Sequence, residues 1–171
     1  MGYSTSTPGS QVWRWPLFYL GVALTTLASL LLELSLTRIF SVVFHYHFAF
    51  LAISLALFGL GAGGVLAYLV AEWRGDLPLK LGALAACNSM LVLVALAMAL
   101  SVRQELGFWA LAAVYFPSTL PFVLSGATIS LAIAEGIRRV DRVYFFDLLG
   151  AGAGCALLVP LLNTFGGPNT V

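Results

Sequence analysis

Residues 48–70 read FAFLAISLALFGLGAGGVLAYLV, a run without one charged side chain. A bilayer core about 30 Å thick is crossed by about 20 apolar residues in a helix that rises 1.5 Å per residue. Inside lipid every backbone amide must be paired within its own segment or within a closed barrel, and barrel strands alternate polar and apolar residues. This run does not alternate, so it predicts a transmembrane helix.

Four further apolar runs of similar length lie on either side of this one. We expect spans over residues 16–36, 48–70, 79–100, 108–134 and 143–162. The predicted fold is therefore all-α, a polytopic bundle of about five transmembrane helices. A flexible tail over residues 1–15, rich in Ser, Thr, Gly and Pro, precedes a helical domain over residues 16–171. We expect that domain to continue beyond Val171.

The composition also indicates a chain whose solvent is lipid. Hydrophobic residues make up 61% of the sequence and charged residues 9%, whereas an average soluble domain carries about 25% charged residues. So few charges cannot cover the surface of a water-soluble fold. The net charge of +1 gives no basic surface for nucleic acid. We expect the lipid bilayer as a partner, and we do not expect nucleic acid.

The Lys and Arg side chains predict an orientation. If the chain crosses the membrane five times, six of its eight basic residues lie on the side of the N-terminus: Arg14, Arg74, Lys80, Arg138, Arg139 and Arg142. Only Arg38 and Arg103 lie on the other side. Because cytoplasmic loops carry the excess of Lys and Arg, we expect the N-terminus in the cytoplasm.

Two of the predicted spans are rich in glycine. The glycines are Gly59, Gly61, Gly63 and Gly64 in the second span and Gly150, Gly152 and Gly154 in the fifth. Membrane helices associate by close backbone approach at small residues. We therefore expect the second and fifth spans to be tightly packed neighbours.

The glycine stretch of the second span also mimics a dinucleotide fingerprint. It lies inside an apolar helix and not after a strand, which favours helix packing.

Glu33, Arg38 and Asp147 are the most informative charges. A carboxylate at membrane depth needs a partner or a proton. Glu33 could belong to a proton or cation relay, or it could form a buried ion pair with Arg38 if the helix ends between them; we favour the ion pair, because a transport path needs several aligned polar groups. We expect Asp147 at the start of the fifth span, where the helix dipole favours an acid.

His45 and His47 precede the second span and are the two histidines of the chain. An imidazole there could contact haem or a pigment. We favour interfacial anchoring beside aromatic residues, and we expect neither a cofactor nor a metal. The sequence has no nucleophile–base pair and no Walker or zinc motif, so we expect no catalytic residue and no enzyme activity.

Other polar and helix-breaking residues lie within the spans. Asn88, Ser125 and Thr128 are isolated polar groups that can bond across helices. Pro117 and Pro121 predict a kink in the fourth span.

Two strings carry a resemblance to a known family. Residues 32–64 (LELSLTRIFSVVFHYHFAFLAISLALFGLGAGG) and residues 142–155 (RVYFFDLLGAGAGC), with PLLNTFGGPN after them, resemble the membrane-embedded N-terminal region of bacterial spermidine synthase-like (polyamine aminopropyltransferase-like) multi-pass proteins. The similarity covers most of residues 17–170.

The resemblance implies a helical bundle in the bacterial inner membrane and a functional set of Glu33, Arg38, His45 and Asp147. In that family the membrane region precedes a soluble, Rossmann-like aminopropyltransferase-type domain. No polar α/β segment of that kind occurs in these residues, so no catalytic residue carries over.

Three functions are compatible with the sequence. The first is a non-catalytic module that anchors or scaffolds, in its sharpest form an accessory structural subunit of a respiratory or photosynthetic membrane complex, with other membrane subunits as partners. The second is a transporter-like domain that uses Glu33 and Arg38. The third is the membrane part of a spermidine synthase-like enzyme whose catalytic domain lies elsewhere. We favour them in that order.

Overall fold

The computed structural model of the chain describes residues 14–43, 46–73, 76–101 and 108–165. These residues form five α-helices and no strand: α1 (Arg14–Val43), α2 (Tyr46–Ala71), α3 (Leu77–Ser101), α4 (Phe108–Glu135) and α5 (Val140–Phe165). A short 3-10 helix, Ile137–Arg139, precedes α5. The all-α prediction is confirmed. Most of the predicted tail lies outside the described residues, and its last two residues belong to α1.

Each of the five helices is long and apolar enough to cross a membrane. The segments that meet this condition are Trp15–Ser41, Phe50–Ala71, Leu77–Ala99, Val114–Glu135 and Ile137–Leu161. The chain is thus a multi-pass membrane protein. α1 is longer than the expected residues 16–36 because Thr37 and Ser41 do not end it. Their hydroxyls donate to the carbonyls of Glu33 and Arg38, both at 2.8 Å, which satisfies them within the helix.

The connection between α4 and α5 and parts of the connection between α2 and α3 belong to the described residues. After α2, the Trp73 amide donates to the Val70 carbonyl at 3.2 Å. Between α4 and α5, the Gly136 amide donates to Ala132 and the Arg139 amide donates to Gly136, at 2.9 and 2.7 Å. The second turn is tight enough that α5 begins almost directly after α4.

α1 and α4 are the inner helices of the bundle. α1 packs against α2, α4 and α5, and α4 also packs against α2 and α3. In an 18-residue stretch of each candidate span, 56% of the residues are buried in α4 but only 6% in α3. α3 is therefore a peripheral helix that packs mainly against α4, and its remaining surface is open.

Two helix pairs approach closely at glycines. A Cβ on Gly63 of α2 would lie 2.6 Å from the Ala127 nitrogen of α4, and one on Gly150 of α5 would lie 2.8 Å from the Ala23 carbonyl carbon of α1. No real side chain fits at such distances, so these glycines let the backbones touch. The prediction that the second and fifth spans pack tightly against each other is wrong, because each packs against a different inner helix.

The other glycines of the two stretches differ in their surroundings. A Cβ on Gly59 would lie 2.8 Å from Phe122 Cβ, and one on Gly154 would lie 3.1 Å from the Leu27 carbonyl oxygen. Gly64 has only an ordinary contact with Ser130, at 3.6 Å. Nothing lies within 4 Å of a Cβ on Gly61 or Gly152. Gly61 therefore takes no part in the packing that was expected of it.

Candidate functional site

The buried face of α1 carries a line of polar side chains. Residues at steps of three and four lie on one face of a helix. On α1 this face consists of Tyr19, Val22, Thr26, Ser29, Glu33, Leu36 and Phe40, all buried except Glu33, which is half-buried. The polar members are thus aligned within the bundle. Thr26 and Ser29 were not predicted from the sequence as members of this line.

Asp147 of α5 meets this face at Thr26. The Thr26 hydroxyl donates to Asp147 Oδ1 and also lies 3.2 Å from the Val22 carbonyl oxygen of its own helix. Asp147 is half-buried. The expectation that it opens the fifth span is wrong: α5 begins at Val140, so Asp147 lies two turns inside the helix, and the acid in the first turn is Asp141.

Glu33 lines a small cavity at the junction of α1, α2 and α4. Its wall consists of Glu33, Leu36 and Phe40 from α1, Ala52 and Leu55 from α2, and Tyr115, Ser118 and Phe122 from α4. The cavity volume is about 10 Å³, about the size needed for one water molecule. Five of the eight lining residues are apolar, and the other three, Glu33, Tyr115 and Ser118, carry a carboxyl group and two hydroxyls.

Glu33 and Arg38 form no ion pair. α1 continues through both residues, and five positions on one helix do not place two side chains on the same face. Arg38 is exposed. Among the residues that the structure describes, none forms a hydrogen bond or ion pair with the Glu33 carboxyl group. The ion-pair interpretation is therefore wrong, and Glu33 faces its cavity without a charged partner from those residues.

α4 contributes a second set of buried polar groups. Ser118, Ser125 and Thr128 are all buried. Asn88 Nδ2 of α3 donates to the Ser125 hydroxyl at 3.2 Å, which confirms that Asn88 and Ser125 bond across helices. Thr128 instead donates to the carbonyl of Leu124 in its own helix, at 2.8 Å. Because α1 and α4 are in contact, both sets of polar groups lie in the same interior, which is otherwise apolar.

An aromatic cluster packs around the first turns of α1 and α5. Tyr19 is buried and stacks on Phe146 with ring centroids 5.2 Å apart. The Arg139 guanidinium lies 4.9 Å from the centre of the Trp15 ring, a cation–π contact. This contact places the starts of α1 and α5 at the same end of the bundle, as the expected topology requires, because the chain crosses four times between the two starts.

The proposed haem or pigment ligands fall where the side chains are not described. His45 lies outside the described residues, and His47 belongs to α2 but its side chain lies outside them too. Within the described part of the chain, no group of three or more His, Cys, Asp or Glu side chains could hold a metal ion.

α4 runs through Pro117 and Pro121 as one helix.

The chain was also compared with known proteins. No protein-family model, no curated protein and no solved structure matches it. The resemblance to spermidine synthase-like proteins therefore stays a prediction, and a function has to be argued from the geometry of the bundle.

Proposed function

We propose that the chain is a non-catalytic membrane module that anchors or scaffolds other proteins in the bilayer. The observation that carries this proposal is a pair of small residues, four positions apart, on the open surface of α3 and another on that of α5. These are Gly82 and Ala86 on α3 and Gly152 and Ala156 on α5, all exposed. A Cβ on either glycine would have nothing within 4 Å.

The same spacing is already used for packing inside the bundle. Gly59 and Gly63 hold α2 against α4, and Gly150 and Gly154 hold α5 against α1. Such pairs let membrane helices approach closely. A helix that faces only lipid gains nothing from them, so the open pairs on α3 and α5 favour contact with helices of other subunits. In its most specific form, the module is an accessory subunit of a respiratory or photosynthetic complex.

The test is the mass of the native assembly. The chain is extracted with its surrounding lipid and its particles are weighed, with their subunits identified by mass spectrometry. We expect particles much heavier than the 18.2 kDa chain. The double variant Gly82→Leu, Gly152→Leu should release the chain from the assembly. Gly61→Leu is the control, because Gly61 is exposed but has no small residue four positions away, and this variant should leave the assembly intact. A parent chain that runs alone would overturn the proposal.

A second function is favoured by the polar line on α1. Thr26, Ser29 and Glu33 lie on one face between Asp147 and the Glu33 cavity, and aligned polar groups are what a transport path requires. The chain would then act as a transporter-like domain. Ion flux in proteoliposomes tests this: the Glu33→Gln variant should lose it. Unchanged flux in that variant, or no flux in the parent, would remove this candidate.

The family resemblance suggests a third candidate function, in which the bundle anchors an enzyme domain. The bundle would then hold an aminopropyltransferase-type domain at the membrane of a bacterium. The support for it is the resemblance described above for residues 32–64 and 142–155. Sequencing the gene beyond Val171 tests it, because a following Rossmann-like segment is expected and a stop codon would contradict it.

A further inference from the structure

We propose that the Glu33 cavity is a binding site for one small monovalent cation taken from solution, a proton or Na⁺. This site does not depend on the scaffold function, whereas the transport candidate rests on it.

The surroundings of Glu33 require a counter-charge. The residue lies within the candidate span Trp15–Ser41, and its cavity has apolar walls formed by Leu36, Phe40, Ala52, Leu55 and Phe122. An ionised carboxylate in such a medium is strongly unfavourable unless it is paired. The nearest basic residue on its own helix, Arg38, is exposed and does not pair with it. The described residues therefore leave the balancing charge to a cation from solution.

The charged and titratable groups around the cavity are few. Among the described residues that line it, α2 contributes Ala52 and Leu55, and α4 contributes Tyr115 as the one titratable group besides Glu33. The described residues of α3 and α5 do not line the cavity. No basic side chain therefore belongs to the described wall, and Glu33 dominates its electrostatics.

The other polar atoms of the cavity are oxygens. The Ser118 hydroxyl donates its hydrogen to the Val114 carbonyl at 2.7 Å, so its oxygen keeps lone pairs with which to accept. Tyr115, whose side chain carries a phenol oxygen, also lines the cavity. Oxygen ligands suit hard cations, and a volume of about 10 Å³ admits one such ion or one hydrated proton. Organic substrates are too large for this space.

Labelling with the apolar reagent dicyclohexylcarbodiimide tests the site without any variant. A protonated carboxyl group adds across the C=N bond of the reagent to give an O-acylisourea, which rearranges to a stable N-acylurea that peptide mass spectrometry locates. We expect labelling of Glu33 in the purified full chain, in sodium-free choline buffer, and loss of that labelling as the pH is raised. Glu72 and Glu135, which are exposed at helix ends, should stay unlabelled.

The two cations give different results in this experiment. If Na⁺ is the ligand, adding it at constant pH and ionic strength should protect Glu33, and K⁺ should protect less. If the proton is the ligand, Na⁺ and choline should give the same labelling at each pH. The proposal is overturned if Glu33 stays unlabelled in choline buffer at every pH at which the bundle remains folded, or if its labelling responds to neither pH nor Na⁺.

Variants then assign the signal to the residue. Glu33→Gln should abolish the carbodiimide adduct, whereas Glu135→Gln should retain it, because that carboxyl lies at the exposed end of α4. Circular dichroism in the same detergent verifies that both variants are folded. An adduct that persists in Glu33→Gln would place the reactive carboxyl elsewhere and overturn the assignment.

Discussion

Hydroxyl side chains make most of the side-chain hydrogen bonds among the residues that the structure describes. Ser118, Thr119 and Thr128 each donate to the carbonyl four residues earlier in α4, at 2.7, 2.9 and 2.8 Å. A hydroxyl satisfied in this way can be buried in a helix without water. Thr26 differs, because its hydroxyl also reaches a carboxyl group on another helix, and it therefore links α1 to α5.

The Thr26–Asp147 hydrogen bond should contribute measurably to stability. We expect a double-mutant cycle of Thr26→Val and Asp147→Ala to give a coupling free energy of about 0.6 kcal/mol, the average for interhelical hydrogen bonds in such cycles, and at most about 1.7 kcal/mol. The measurement is the free energy of unfolding in mixed micelles with increasing SDS.

Thr25 provides the matched control for this cycle. Its hydroxyl donates to the Gly21 carbonyl of its own helix at 2.8 Å, so Thr25→Val combined with Asp147→Ala should be additive. A coupling of zero between Thr26 and Asp147, or an equal coupling for Thr25, would contradict the contact.

At the scale of the helices, glycine determines which faces can meet. α2 and α5 have the same small-residue spacing, and each lies in parallel against a different inner helix. Gly63 and Gly61 are two residues apart on α2, yet the first touches the α4 backbone and the second faces open space. Helix periodicity places them on different faces, so they form a natural pair for experiment.

Alanine at these two positions should have opposite effects. Gly63→Ala should lower the free energy of unfolding by about 1–3 kcal/mol, because its methyl group overlaps the α4 backbone. Gly61→Ala should leave stability unchanged or raise it by up to about 1 kcal/mol, since alanine is the better helix former. SDS-induced unfolding measures both. Equal effects at the two sites would show that α2 and α4 do not cross at Gly63.

Local patterns predicted the helices but not their partners. The lengths of the apolar runs gave all five helices, and only the first was clearly too short, because Thr37 and Ser41 can remain helical by bonding to their own backbone. The glycine stretches correctly indicated close packing at Gly63 and Gly150. The spacing of small residues, however, does not tell which helix packs against them.

The candidate site was predicted only in part for a similar reason. Glu33 and Asp147 are visible as charges in apolar runs. Thr26 is not, because a threonine is common in such runs, and its bond to Asp147 joins residues 121 positions apart. The Glu33 cavity likewise needs three helices, and a contact of this kind follows from the packing of the whole bundle.

For the whole molecule, the central feature is an apolar outer surface. Large hydrophobic side chains such as Phe58, Tyr68, Leu79 and Phe116 are about 70% exposed on their helices. A protein in water would hide most such groups, and their exposure along all five helices indicates contact with lipid. Arg139 on Trp15 marks one end of this surface, at the level where interfacial aromatics are expected.

Cys87 provides the most direct measurement of this claim. It is a free thiol on the exposed surface of α3, near the middle of the span Leu77–Ala99. If hydrocarbon surrounds that surface, a charged, membrane-impermeant maleimide should not label Cys87 in native membranes, even when they are opened so that both faces are accessible. It should label Glu72→Cys at the exposed end of α2, and it should label Cys87 after denaturation. Labelling of Cys87 in the folded chain at the rate of the Glu72→Cys thiol would contradict the membrane-spanning bundle.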